Sequence, residues 1–168
     1  MYKHFILDVD GVLNDGVLYW GANGKPFKAF GNYDHDGLKV LRNHLSIEFI
    51  SADEIGWGIT QSRCDHMKLP LTLVKESNRM EYILSRGNPA EIIFMGDGPY
   101  DAKIFPHVGL SIAPAQAWRT AIQHADYITP RRGGDGAVMD ACVYILDKLE
   151  IEYLKISKLL LCFKLPLL

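Results

Sequence analysis

Cysteine is scarce in this chain of 168 residues, and what there is lies scattered. Cys64, Cys142 and Cys162 are odd in number, far apart, and outside any C-x-x-C pair or Cys/His cluster, which argues against structural disulfides and structural zinc. An excess of one charge is missing too. Eighteen basic against twenty acidic residues leave a formal net charge of −2, with no basic stripe of the kind that meets nucleic acid or an anionic membrane. The expected partners are therefore a small molecule or a second copy of the chain. No uninterrupted apolar run approaches the ~20 residues of a bilayer span. The nearest case, residues 151–168, is rich in Leu and Ile but is broken by Lys155, Lys158 and Lys164 and ended by Pro166. It reads as an apolar C-terminal tail that buries one side against the domain or a neighbouring subunit. Tyr2 leads straight into an apolar run and two aspartates, without the features of a signal peptide, so a cytoplasmic location is expected. Internal repeats and low-complexity linkers are absent as well.

What is present is 48% hydrophobic residue content, enough for one domain with its own core, expected over residues 1–150. Short apolar runs at 2–9, 47–51, 71–74, 91–95, 109–112 and 127–128 alternate with helical patterns at 36–43, 56–67, 78–85, 100–105, 115–124 and 137–149. That alternation predicts an α/β fold, a Rossmann-like, doubly wound parallel sheet with ligands at the carboxyl ends of its strands. One insert breaks the rhythm. Residues 16–20 and 25–30 form two β-rich runs around Gly21-Ala22-Asn23-Gly24, which predicts a β-hairpin after the first strand. Its Val17, Tyr19, Phe27 and Phe30 are too many apolar side chains for a solvated flap, and an oligomer interface would bury them.

The chemistry sits at two strand ends. Asp8 and Asp10 follow the first apolar run, separated by one residue and followed by Gly11. Two carboxylates at one strand end repel each other, and a divalent cation relieves that cost. Magnesium favours hard oxygen ligands and keeps substrate phosphate oxygens in its shell. Taken alone, Asp8-Val9-Asp10-Gly11 reads equally well as a polar turn. A second acidic pair, Asp97 and Asp101, follows the run Ile92-Ile93-Phe94-Met95, with Gly96 and Gly98 allowing the backbone to come close to a ligand. Asp97 can enter a metal shell, and Asp101 can hold that shell in place or cap the next helix.

With both pairs in view, the chain resembles the haloacid dehalogenase superfamily, which carries D-x-D-G after its first strand and a G-D-x-x-x-D acidic loop later. The resemblance implies that Asp8 is the nucleophile and Asp10 the general acid and base. It implies a magnesium site made by Asp8, the backbone carbonyl of Asp10 and Asp97, with Asp101 in support. A phosphate-contacting set is implied as well: Gly11, a Ser or Thr at the second strand end, and a cation. Ser51 fits the second of these, with Asp53 as the alternative register. Arg79 or Lys75 fits the cation. An aspartyl phosphate divides one hard displacement into two easier ones, and an acid two residues away serves both halves.

A narrower resemblance is carried by Gly11-Val12-Leu13-Asn14-Asp15-Gly16, Lys28-Ala29-Phe30, Asp101-Ala102-Lys103, Val108 to Ala113, Ala125 to Thr129 and Gly133-Gly134-Asp135-Gly136-Ala137-Val138. These stretches look like the capless group that contains the phosphatases of 3-deoxy-D-manno-octulosonate 8-phosphate and of nine-carbon sialic-type sugar acids. That resemblance implies no cap domain and a phosphorylated 2-keto-3-deoxy sugar acid as substrate. It also implies a homotetramer joined through the hairpins, with Arg131 and Arg132 near the sugar acid. The alternative is a noncatalytic tetramerisation module related to the C-terminal domain of sialate cytidylyltransferases. Several residues depart from the group's pattern: Asn14, His35, Gly98 and the pair Met139-Asp140.

Overall fold

The computed structural model describes residues 1–151, so the tail expected at 151–168 lies outside the described residues except for Ile151. Each predicted apolar run becomes a strand within two residues of its expected ends. These are β1 (His4–Asp8), β2 (Ser46–Ser51), β3 (Leu71–Leu73), β4 (Ile92–Met95), β5 (Leu110–Ala113) and β6 (Tyr127–Ile128). All pair in parallel, in the order β3-β2-β1-β4-β5-β6. A parallel sheet must be covered on both faces, which is why its central strands are apolar at successive positions. Phe5 and Leu7 of β1 point into one core layer with Phe49, Leu38, Leu41 and Ile145, while Ile6 points into the other with Ile50, Phe94, Ile83 and Phe105.

The helices are α1 (Asp34–Leu41), α2 (Trp57–Met67), α3 (Arg79–Leu84), α4 (Pro99–Ala102), α5 (Arg119–His124) and α6 (Ala137–Lys148). Among those shorter than their apolar spacing predicts are α5 and α4. The segment before α5 stays out of the helix because its backbone is used elsewhere: Ala115 N–H donates to the Arg131 carbonyl (3.2 Å) and Trp118 N–H to the Asp97 carbonyl (2.8 Å). Near α4, the Asp101 carboxylate accepts from the N–H groups of Asp97 (3.1 Å) and Gly98 (2.9 Å), holding a tight turn followed by a single helical turn.

The strand order sets the position of the site. From β1 the chain moves outward through β2 and β3, then returns to β4 on the other side of β1. The reversal opens a crevice at the carboxyl ends of β1 and β4, where open α/β sheets bind ligands. Leu7 is paired with Met95, so the loops carrying Asp8 and Asp97 leave the sheet side by side.

The insert follows the expected out-and-back path with little regular pairing. Its antiparallel contacts are two isolated bridges, Asn14 with Phe30 and Gly21 with Gly24. Tyr19 and Phe27 stack against each other at 4.8 Å between ring centroids, and Phe30 reaches the core. Val17, Leu18, Trp20 and Phe27 remain more than half exposed. A two-stranded ribbon with no third layer lacks the buried area to hold a full ladder.

Asp34, at the start of α1, is fully buried. One of its oxygens accepts from Met139 N–H (3.0 Å), and the other has no hydrogen-bond partner. Burial pushes its carboxyl up to about 6, against the lowering effect of the Met139 and Val138 N–H groups. A carboxyl raised in the folded state favours folding when protonated, so this contribution is present at acid pH and is lost as pH climbs through about 6. The wild type should therefore lose up to about 3 kcal/mol from this group between pH ~4 and ~6. In Asp34→Asn the pH dependence of denaturant unfolding over that window should be flatter.

Candidate active site

Asp8 is the last residue of β1. Past it the chain turns sharply: the N–H groups of Val12, Leu13 and Asn14 all point to the Val9 carbonyl (3.2, 2.8 and 3.3 Å). Gly11 sits in this turn at φ +83°, and a Cβ there would lie 2.0 Å from Asp97 Oδ2, so only glycine lets the two acidic loops meet. The same logic holds at Gly133, where a Cβ would lie 2.0 Å from the Gly11 carbonyl oxygen. The loop before α6 thus lies directly on the turn that follows Asp8. Gln116 joins the two, donating to the Gly11 carbonyl (2.6 Å) and accepting from Gly133 N–H (2.9 Å).

Carboxylate oxygens of Asp8, Asp97 and Asp101 lie within 4.8 Å of one another. Into this group comes the buried guanidinium of Arg79 from the start of α3. Its Nη1 donates to Asp8 Oδ2 at 2.7 Å and to Asp101 Oδ1 at 2.5 Å. Three carboxylates against one guanidinium leave a formal excess of two negative charges. The cost shows in the protonation equilibria. Burial, with Asp101 close by, lifts the Asp8 carboxyl to about 8 despite the opposing pull of Arg79. Burial and Asp101 lift Asp97 to about 7. Arg79 itself stays charged, because Asp8 and Asp101 more than offset its desolvation. A cluster of hard oxygen donors two charges short of neutrality suits a divalent cation such as magnesium.

A cavity of about 410 Å³ opens over these groups, lined by Asp8, Asp10, Asp53, Arg79, Asp97 and Asp101 among others. That is room for a small phosphorylated metabolite. Of the two cations considered for phosphate, Arg79 is buried on the cavity wall, whereas Lys75 is exposed and lies off it. Ser51 is buried at the end of β2 with its Oγ accepting from Asp53 N–H (3.1 Å), and it is Asp53, not Ser51, that lines the cavity. The Gly11 N–H donates to Asn14 Oδ1 (3.0 Å). Arg131 pairs with Asp140 (2.5 Å), and neither it nor Arg132 lines the cavity.

Three residues at the site have no assigned role in the sequence reading. Asn14 donates to Asp10 Oδ1 (2.8 Å), Lys28 reaches both Asp10 oxygens (2.8 and 3.1 Å), and Lys25 pairs with Asp53 (2.7 Å). The two insert lysines hold Asp53 well charged. Burial works against its ionisation, but the ammonium groups of Lys25 and Lys28, together with the Gly56 N–H, outweigh it and bring the carboxyl down to about 2.

Arg79→Met should be costly, because removing one partner from a buried ion-pair group leaves the others uncompensated, at about 3–5 kcal/mol. Added magnesium should recover part of the lost thermal stability by supplying the missing positive charge, and melting curves with and without the ion would show it.

Residues 24–141 match the family model described as haloacid dehalogenase-like hydrolase. The 3-deoxy-D-manno-octulosonate 8-phosphate phosphatase KdsC of Salmonella typhi is 33% identical over 147 residues, covering 84% of this chain and 77% of that protein. The phosphatase of the same name from Escherichia coli K12 is equally similar, 33% identical with the same coverage. The cobalt-bound deoxy-D-mannose-octulosonate 8-phosphate phosphatase of Haemophilus influenzae superposes with a TM-score of 0.77 at 29% identity, covering 87% of this chain and 88% of that one. This chain belongs to the haloacid dehalogenase-like hydrolases. Within them it is a phosphatase of the capless group, with no cap domain among the described residues.

Proposed function

We propose that this phosphatase hydrolyses a phosphorylated 2-keto-3-deoxy sugar acid, octulosonate 8-phosphate or nonulosonate 9-phosphate, with magnesium and through a phosphorylated Asp8. The observation that carries the reading is the Asp8 carboxylate at the sheet's switch point, facing a cavity with room for a small phosphorylated metabolite, within a cluster two positive charges short of neutrality. The similarity to octulosonate-phosphate phosphatases supports the substrate class.

Asp8 attacks phosphorus through a carboxylate oxygen while the bond to the sugar oxygen breaks, and Asp10 gives its proton to that leaving oxygen. Asp10, now a carboxylate, takes a proton from the water that attacks the aspartyl phosphate. The bond from Asp8 to phosphorus breaks and inorganic phosphate is released. Arg79 lines the cavity, so its charge counters the repulsion between an anionic nucleophile and an anionic substrate, while Ser51 and Gly11 lie off the lining. Bound magnesium, held by Asp8, Asp97 and the Asp10 carbonyl with Asp101 in support, would add Lewis-acid polarisation of the phosphoryl oxygens.

In this reading the enzyme is cytoplasmic, and residues 1–150 form the catalytic unit with 151–168 as an appended tail. No helix among the described residues is long and apolar enough to cross a membrane. The exposed apolar side chains of the insert favour a homotetramer closed through that insert, which light scattering would report as four times the chain mass. The direct test is phosphate release from octulosonate 8-phosphate and nonulosonate 9-phosphate with magnesium present. Release from at least one is expected. No release from either ester or from p-nitrophenyl phosphate would overturn the reading.

A further inference from the structure

Lys28 lies in the insert, where a lone lysine is ordinarily solvated surface. Instead its side chain is only 4% exposed, and Nζ is surrounded by oxygen. It donates to Asp10 Oδ2 (3.1 Å) and Thr60 Oγ1 of α2 (3.0 Å), and sits 2.8 Å from Asp10 Oδ1. It is also 2.8 Å from Asp53 Oδ2, close enough for an ion pair though poorly angled for a hydrogen bond. Burial would strip this ammonium of its proton, but the hydrogen bond to Asp10 and the pairing with Asp53 outweigh that and keep it charged. Lysine carries three protons and accepts nothing, so every hydrogen bond it makes is a donation.

The geometry has a one-sided character. Asp10 receives Lys28 on both oxygens and Asn14 Nδ2 on Oδ1, while its side chain stays about one-third exposed toward the cavity. Asp53, itself fixed by Lys25 and by Gly56 N–H (3.0 Å), braces Lys28 from behind. The carboxyl plane of Asp10 is therefore set by a residue 18 positions away on the insert, not by its own turn alone.

We infer that Lys28 is a positioning residue for the proton-transfer group, reaching in from the insert to hold the Asp10 carboxyl where it meets the leaving oxygen of the substrate. The inference rests on the phosphatase reading and on Asp10 as its acid. A purely structural role, in which Lys28 only pins the insert to Asp53 and Thr60, makes a different prediction.

The two roles separate by leaving group. A sugar alkoxide must be protonated as it leaves, whereas p-nitrophenolate leaves as a stable anion. The readout is the ratio of kcat/KM for octulosonate 8-phosphate to kcat/KM for p-nitrophenyl phosphate, since kcat/KM covers the steps up to the first displacement. In Lys28→Met this ratio should fall about 30-fold, a part of the ~10²–10⁴-fold that a positioned acid supplies. Placed in an Asp10→Asn background, Lys28→Met should change the ratio no further, because the two act through one group. Should Lys28→Met fail to fold, Lys28→Met/Asp53→Asn removes both charges and carries the same expectation. A ratio equal to the wild type's, with both esters slowed alike, overturns the inference. A wild type active on the aryl ester but not on octulosonate 8-phosphate overturns the substrate reading alone, and propyl phosphate then serves as the alkyl ester. A wild type inactive on all three overturns the phosphatase reading and this inference with it.

Discussion

Asp8→Asn should abolish phosphate release, a fall of about 10⁴-fold or more, while the protein still folds. An amide has almost the shape of a carboxylate but is a far poorer nucleophile, so the aspartyl phosphate cannot form. Its oxygen can still accept from Val9 N–H, which Asp8 Oδ1 does at 2.7 Å. Folding should be spared for an electrostatic reason. Burial and Asp101 hold the Asp8 carboxyl at about 8 without metal, so near neutral pH the neutral amide replaces a group that is largely neutral already. The sign follows: a carboxyl raised from 3.8 to about 8 stabilises the folded state when protonated and loses that contribution as pH climbs from about 4 to about 8. Metal-free Asp8→Asn should accordingly compare better with the wild type at pH 8 than at pH 5, which thermal melts by circular dichroism would reveal. Turnover at even a hundredth of the wild-type rate would remove Asp8 from the nucleophile's role.

Chelation of divalent cations should be nearly as damaging, at about 10³-fold in phosphate release, with recovery on adding magnesium. Several kcal/mol of transition-state stabilisation are at stake, and each ~1.4 kcal/mol is tenfold in rate. The same cluster predicts how affinity varies with pH. Asp8 and Asp97, lifted to about 8 and about 7, must shed their protons to act as ligands. Magnesium affinity measured by calorimetry should therefore rise between pH 6 and 8, where ordinary carboxylates are fully ionised and would show no change. Asp97→Asn should weaken binding and flatten that rise. Activity indifferent to chelator, with no heat of magnesium binding, would remove the metal from the mechanism.

The sheet was legible in the sequence because a doubly covered parallel strand has to be apolar at successive positions, as Phe5-Ile6-Leu7 and Ile92-Ile93-Phe94-Met95 are. The acidic loops were legible because they fall directly after those runs. Less visible were features decided by partners distant in the chain. Residues 115–118 have helical spacing, yet Ala115 and Trp118 give their N–H groups to Arg131 and Asp97. The insert reads as a hairpin and follows that course, but its arms meet in two isolated bridges and several of its apolar side chains stay exposed. Lys28 resembles any surface lysine until Thr60, 32 residues on, and Asp10 close around it. Ser51 and Asp53 illustrate the same limit, since sequence places both at a strand end and only the backbone path turns Asp53 toward the cavity.

The close approach of Gly133 to Gly11 also bears on how the enzyme comes into being on the ribosome. The turn after Asp8 emerges among the first residues made, but Gly133 and Gln116, which rest against it, arrive more than a hundred residues later. The strand beside it, β4, is also a late arrival. Contacts of such long sequence separation form late in folding. A nascent or truncated chain ending at β5 would carry Asp8 and Asp10 without Gln116 and Gly133 resting against their turn. Cells would thus be spared a half-made hydrolase acting on phosphate esters while still attached to its ribosome.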